Sequence, residues 1–186
     1  MSRSKSYQKW IDAGYDLFAQ EGNEGIQIER LARITELNKS GFYHYFGELD
    51  IFFEHLMLHH RETTDLFRKE IDTCLTFDPD YINLLVKHKI TVLAQNQLVR
   101  NRHIKLFLDV YNEVNVKVDK AVLRIWASFL GIPERPEVAL HYYEMTRHTF
   151  FSRVNYDNLT YELGHEIADK AKLIIQEMIK SESHSS

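Results

Sequence analysis

Residues 26–46 read IQIERLARITELNKSGFYHYF, and this stretch decides the fold. In its first part Ile28, Leu31, Ala32 and Thr35 recur at helical spacing and leave Gln27, Glu29, Arg30 and Arg33 on the other side, the pattern of a short amphipathic helix. In its second part, a rotation of about 100° per residue gathers Phe42, Tyr45, Phe46 and Leu49 on an apolar arc and puts Lys39, Ser40, Tyr43 and His44 opposite. Asn38 is a good N-cap, because its side chain can accept from the unpaired amides that open a helix. Two short helices joined by a tight turn are therefore expected, the second with one packed side and one polar side. A helix that enters the major groove needs a few side chains near its N-terminal half that reach base edges and phosphates, which Lys39, Ser40, Tyr43 and His44 provide. An αα-hairpin whose polar side is simply solvated has the same pattern, so the stretch alone leaves both readings open.

Upstream, Ser4 or Ser6 can cap a helix in which Tyr7, Trp10, Ile11, Gly14, Leu17 and Phe18 form an apolar stripe, and Gly22 stops it. Gly14 lies on that stripe at a cost of about 1 kcal/mol against alanine, which means either close packing by a neighbour or a tolerated weakness. Taken together, WIDAGYDLFAQEG (Trp10 to Gly22), the Ile28-x-x-Leu31-Ala32 helix and NKSGFYHYF (Asn38 to Phe46) resemble the N-terminal domain of the TetR family of transcriptional regulators. The remaining chain is similar to that family only in its helical character and length.

The resemblance implies an all-α fold: a three-helix helix-turn-helix DNA-binding domain over residues 1–48, then a helical-bundle ligand-binding and dimerisation domain over 49–181. It implies a cytoplasmic, ligand-responsive repressor that binds a palindromic double-stranded DNA operator as a homodimer. Lys39, Ser40, Tyr43 and His44 fall where the family uses its recognition helix, and Arg30 and Arg33 on the preceding helix are candidates for phosphate. Three departures from the family pattern stand out. Glu36 stands where the turn usually has glycine, Ser40-Gly41 reverses the usual order, and Leu49 replaces a lysine that supplies a phosphate contact.

Charge gives this reading no general support, since the chain carries a net −4 over 186 residues. Within residues 1–48, Arg3, Lys5, Lys9, Arg30, Arg33 and Lys39 are outnumbered by Asp12, Asp16, Glu21, Glu24, Glu29, Glu36 and Glu48. Placement of the cations has to matter more than their number, and modest non-specific affinity follows from the small counterion release. The single cysteine, Cys74, excludes an internal disulfide and reads as a small core residue. No apolar signal region opens the chain and no uninterrupted apolar run nears the roughly 18 residues of a membrane span, so a cytosolic protein without membrane attachment is expected.

Beyond residue 48, periodicity predicts a long helical segment from about Leu49 to Thr76 and a helix from Asp78-Pro79, cap and first residue, to about Gln97. Further helices are predicted from near Asn101, over Val116–Leu130, over about Glu137–Val154 and over about Leu159–Lys180, with Gly131 to Pro136 as the clearest loop. The Ser-rich end, 182–186, is expected to be a disordered tail. In the family it resembles, the last two long helices pair between subunits; Leu140, Tyr143, Met145 and Phe151 on one and Leu163, Ile167, Ala171, Ile174 and Met178 on the other are the candidates. They would equally serve a monomer core. Aromatics of this part, with an arginine among them, suit an apolar or aromatic small-molecule effector, and Phe67, Phe107, Tyr111, Trp126, Tyr143 and Arg147 are its candidate lining.

Other chemistries find less in the sequence. His55 and His59 have a spacing seen among zinc ligands but no evident third partner, and a di-iron bundle would want two Glu-x-x-His motifs where only Glu162-Leu-Gly-His165 occurs. No metal and no cofactor is expected. No glycine-rich phosphate loop, nucleophile elbow or His-Glu-x-x-His run is present, so the chain is not expected to be an enzyme. The alternative kept from another class is a helical ligand-binding or protein-interaction module that has lost DNA binding.

Overall fold

The structure, a computed structural model, describes residues 4–184, with side chains described through Ser181. Every regular element among them is helical, so the chain is all-α. In order they are α1 (Lys5–Glu21), a 3₁₀ turn (Asn23–Gly25), α2 (Ile28–Thr35), α3 (Lys39–Phe46), α4 (Leu49–Ile71), a π turn (Phe77–Tyr81), α5 (Ile82–Lys87), α6 (Lys89–Arg100), α7 (Lys105–Leu130), α8 (Pro136–Arg153) and α9 (Tyr161–His184). Two compact units divide them, one of residues 1–66 with 90–114, the other of 67–89 with 115–186. No helix of the described residues is long and apolar enough to cross a membrane. The tail expected at 182–186 lies at the edge of what is described, and its last two residues lie outside the described residues.

In the first unit, Ser4 caps α1 by accepting from the Tyr7 amide at 3.1 Å, and Gly22, at φ 76°, ends it. Trp10, Ile11, Leu17 and Phe18 of the expected stripe are buried. Gly14 is there for close packing: a Cβ on it would lie 2.4 Å from Cζ of Phe52 on α4. Phe52 is fully buried and sits against Phe42 and Phe46 at centroid distances of 5.1 and 4.8 Å, so its ring has little room to retreat. The α6 segment Thr91–Asn96 is buried residue after residue, and it carries Thr91, Gln95 and Asn96 into the interior.

In the second unit, Trp126 is fully buried between Phe77 and Tyr143, at 4.6 and 5.8 Å, and its indole N–H donates to the Ala139 carbonyl at 2.9 Å. Gly164 lets α9 lie against α5, since a Cβ there would be 2.8 Å from Cγ2 of Ile82. Cys74 is buried, and burial raises its thiol pKa.

Three expectations are corrected. The helix predicted from Asp78 to Gln97 is broken at His88 (φ −96°, ψ 32°), whose ring lies 5.3 Å from that of Phe67 and whose Nε2 is 3.1 Å from Glu70. Asp78 is not the cap, because its backbone is extended and its carboxylate accepts from Tyr161 at 2.6 Å and meets His165 Nδ1 at 2.6 Å. Thr76 caps instead, while Asp80 accepts from the Leu75 and Thr76 amides at 3.0 and 2.9 Å. The separate helices predicted either side of Asn115 are one, α7, since no glycine or proline interrupts residues 101–130 and an interior asparagine costs only about 0.7 kcal/mol against alanine.

Gly14→Ala tests the packing of α1. Helix propensity alone favours the substitution by about 1 kcal/mol, but overpacking against a fixed ring costs about 1–3 kcal/mol. A lowered denaturation midpoint is the expected outcome, read from chemical unfolding of the full chain.

Candidate nucleic-acid interface

The polar residues picked out in the sequence gather on one side of α3. Lys39, Ser40, Tyr43 and His44 are all exposed, Tyr43 to 52%, whereas Phe42 and Phe46 are 0% and 3% exposed. The separation is local in origin. Asn38 Oδ1 accepts from the Ser40 amide at 3.0 Å and the Gly41 amide donates to the Asn38 carbonyl at 2.9 Å, which fixes the first turn. Gly47, at φ 72°, ends the helix one residue after Phe46. Tyr45 differs from its expected core position. It is half-buried, with its ring 5.9 Å from Tyr7, and its hydroxyl hydrogen-bonds Ser4 Oγ at 2.7 Å.

The turn before α3 holds an unusual backbone. Glu36, in the place where the resembling family has glycine, adopts the left-handed conformation at φ 58°, ψ 31°. That conformation costs an ordinary residue roughly 1–2 kcal/mol. The turn is held by the Leu37 amide donating to the Ala32 carbonyl at 3.2 Å and by buried Thr35, whose hydroxyl donates to the Leu31 carbonyl at 2.8 Å.

Acidic neighbours take up two of the candidate cations. Lys39 Nζ lies 2.8 Å from Glu29 Oε1, and this exposed pair holds the Glu29 carboxyl below its ordinary pKa and raises that of Lys39. Arg30 forks onto both carboxylate oxygens of Glu21 at 2.5 Å and donates to the Gly25 carbonyl at 3.4 Å. Its guanidinium thereby ties α2 to the end of α1. Arg33 is exposed. An exposed ion pair is worth little in water, so Lys39 can exchange Glu29 for a phosphate at small cost.

Elsewhere in the first unit runs a buried polar chain that the sequence reading missed. Gln95 donates from Nε2 to the Tyr111 carbonyl at 3.2 Å, which leaves Oε1 to accept from His60 Nε2 at 2.8 Å. His60 Nδ1 then accepts from the Tyr15 hydroxyl at 2.7 Å. His60 is 0% exposed and desolvation lowers its pKa from 6.5 to about 4. Tyr15 and Gln95 each stand on a buried helix face, and those positions were the available signal, though only the fold shows that they meet at one histidine. His55 and His59 have separate partners, Nδ1 of His55 being 2.8 Å from the Tyr7 hydroxyl and the His59 ring 4.8 Å from that of Tyr15.

The candidate effector residues are divided between the two units. Phe107 and Tyr111 lie in the first unit, where Phe107 packs on Phe18 and Phe53 at 5.4 and 5.7 Å. In the second unit, Phe67 meets Tyr81 at 6.1 Å, and Tyr81 and Tyr143 share a hydroxyl hydrogen bond of 2.8 Å. Trp126 and Arg147 flank Tyr143, with the guanidinium 5.6 Å from its ring centroid. Arg147 is ion-paired with Asp119, with only 11% and 13% of the two side chains exposed. Burial raises the Asp119 pKa and the Arg147 charge opposes that rise.

In comparisons with known proteins, no family model matches this chain, and neither a curated protein nor a solved structure matches it. The functional reading accordingly rests on its own residues.

The buried histidine has a pH signature. In the unfolded chain the imidazole takes a proton below about pH 6.5, while in the folded chain it stays neutral until about pH 4. The His60 contribution to stability is therefore complete above pH 6.5, falls as the pH drops toward 4 and levels off below it. Denaturation midpoints measured across this window should fall more steeply for the native chain than for His60→Gln, which has no group to titrate there.

Proposed function

We propose that the chain is a TetR-like transcriptional regulator with a helix-turn-helix formed by α2 and α3, binding a palindromic operator as a homodimer and repressing until an effector binds. The observation that carries this reading is the outward face of α3, where an ammonium, two hydroxyls and an imidazole stand exposed over a sealed aromatic base. Lysine and the hydroxyls suit phosphate and base edges, and Tyr43 adds an apolar ring for a thymine methyl. Lys39, Ser40, Tyr43 and His44 are the proposed reading residues. Arg33 is placed to meet phosphate; Arg30 has the internal role that its Glu21 fork gives it.

Dimerisation through α8 and α9 is supported by apolar side chains left on their surface. Met145, Leu173, Ile174 and Met178 are 53, 51, 54 and 47% exposed. Tyr143, Phe151 and Ile167, from the same candidate set, are buried within the unit and belong to its core. A two-fold pair through these helices would offer two copies of α3 to half-sites about one DNA turn apart. The Phe67, Tyr81, Trp126, Tyr143 and Arg147 cluster is the proposed sensing region for an apolar or aromatic effector. Such an effector acts only if it binds the DNA-competent and incompetent dimers with different affinity.

Titration of the full chain against fragments of its own upstream region, at several salt concentrations, tests the reading. One palindromic fragment should be preferred, and Tyr43→Ala and Lys39→Ala should each weaken its binding by roughly 1–3 kcal/mol while the chain stays folded. Equal, weak binding to every fragment would favour a module without operator recognition. Unchanged affinity in both variants would refute the assigned face.

A further inference from the structure

His165, the histidine of the Glu162-Leu-Gly-His165 motif, is engaged by a carboxylate from another element. Its Nδ1 lies 2.6 Å from Asp78 Oδ2, and the Tyr161 hydroxyl donates to the other oxygen, Oδ1, at 2.6 Å. The Tyr161 and His165 rings stack one helical turn apart on α9, with 5.8 Å between centroids and 12° between planes. Asp78 is an inward anchor with 12% of its side chain exposed, whereas His165 is open to solvent at 51%. The carboxylate is therefore held in place while the imidazole can exchange its proton with water. Beside this contact Gly164 lets α9 lie on Ile82 of α5. The first turn of α9 is thus held at two adjacent points, one apolar and one ionic.

The charges around His165 are of one sign. Asp78 acts on it from the π turn and Asp169 from the next turn of α9, and Glu162 stands three residues before it. From α5 comes the apolar Ile82 and no charge that acts on the imidazole. Asp80 of the π turn is directed to the Leu75 and Thr76 amides, and Arg153 of α8 is taken up, with Lys170, by Glu166. The hydrogen bond to Asp78 and the Asp78 and Asp169 charges raise the His165 pKa above its ordinary 6.5. A neutral imidazole can still donate from Nδ1 to Asp78, but the bond is then no longer charge-assisted on both sides and nothing in it offsets the acids. The same π turn carries Phe77, packed on Trp126 at 4.6 Å, and Tyr81, hydrogen-bonded to Tyr143 at 2.8 Å. We propose that Asp78, Tyr161 and His165 form a pH-operated latch, in which the imidazolium binds the first turn of α9 to the π turn and loss of its proton loosens α9 from the turn that supports the aromatic cluster. The inference stands apart from the DNA-binding reading, since every group in it belongs to the second unit.

The sign of the effect follows from linkage. A histidine whose pKa is raised by folding adds stability that is complete below pH 6.5 and is lost as the pH rises through the folded value. His60 acts in the opposite sense and at lower pH, so the two are separable. The test titrates the His165 ring by NMR in the full chain, with its resonance assigned by His165→Gln. It also follows hydrogen exchange of the Gly164 to Ala168 amides from about pH 6 to about pH 9, as protection over the intrinsic rate and with the α8 amides as reference. The ring should titrate above pH 6.5 in the native chain and move back toward it in Asp78→Asn. Protection of these amides should fall with rising pH in the native chain and stay low and flat in His165→Gln and Asp78→Asn. A ring that titrates at or below pH 6.5, or protection that keeps level with α8 across the range, would overturn the latch. Equal falls in the native chain and both variants would assign the loosening to other groups and overturn it as well.

Discussion

The contact between Phe52 and the bare Cα of Gly14 sets the geometry of the first unit. Because residue 14 has no side chain, the Phe52 ring can press into α1 while its other side meets Phe42 and Phe46. Trp10 closes the group from α1, edge-on to Phe42 at 5.5 Å. Three helices are thus held by one aromatic cluster, and dense packing of this kind tolerates little displacement. With Phe42 and Phe46 committed inward, the helical period leaves Lys39, Ser40, Tyr43 and His44 no direction but out. Their exposure follows from the packing on the opposite side of the same two turns.

The polar groups of that unit are arranged on the same principle of fixed position. Arg30 joins α2 to the end of α1 through Glu21, and His60 links Tyr15 on α1 to Gln95 on α6. Neither link is worth much as a source of stability. An exposed ion pair contributes little, and the buried network mainly avoids the penalty of unpaired groups. Their value lies in restricting how α1 and α2 can move under α3. In the second unit Asp78 does comparable work, since its carboxylate receives Tyr161 and His165 from α9 and leaves helix capping to Thr76.

What could be read in advance is what local chemistry decides. Asn38, Ser4 and Gly22 mark helix ends because caps act over three or four residues, and the spacing of Phe42 and Phe46 fixes a face by the helical period alone. The break at His88 was hidden because it depends on Phe67 and Glu70, some twenty residues earlier. Asp78 misled for a similar reason: aspartate before proline favours a cap, and only tertiary structure brings Tyr161 and His165 to claim it. At the candidate interface the face was legible and the ion pairs were not, since Glu21 and Glu29 become partners of Arg30 and Lys39 only once the helices are placed. Gly14 raised a question that sequence left open, close packing or tolerated weakness, and the Phe52 ring across from its missing side chain answers it.

The central claim is that the aromatic cluster locks α3 with one side sealed and the other offered to a duplex. Side-chain oxidation by hydroxyl radicals, mapped by mass spectrometry with and without duplex DNA, reads both sides at once. The account predicts rapid labelling of Tyr43 and His44, negligible labelling of Phe42 and Phe46, and loss of the Tyr43 and His44 labelling when DNA is present. Equal labelling of Phe42 and Tyr43 in the free chain, or undiminished labelling of Tyr43 and His44 in bound DNA complexes, would contradict it.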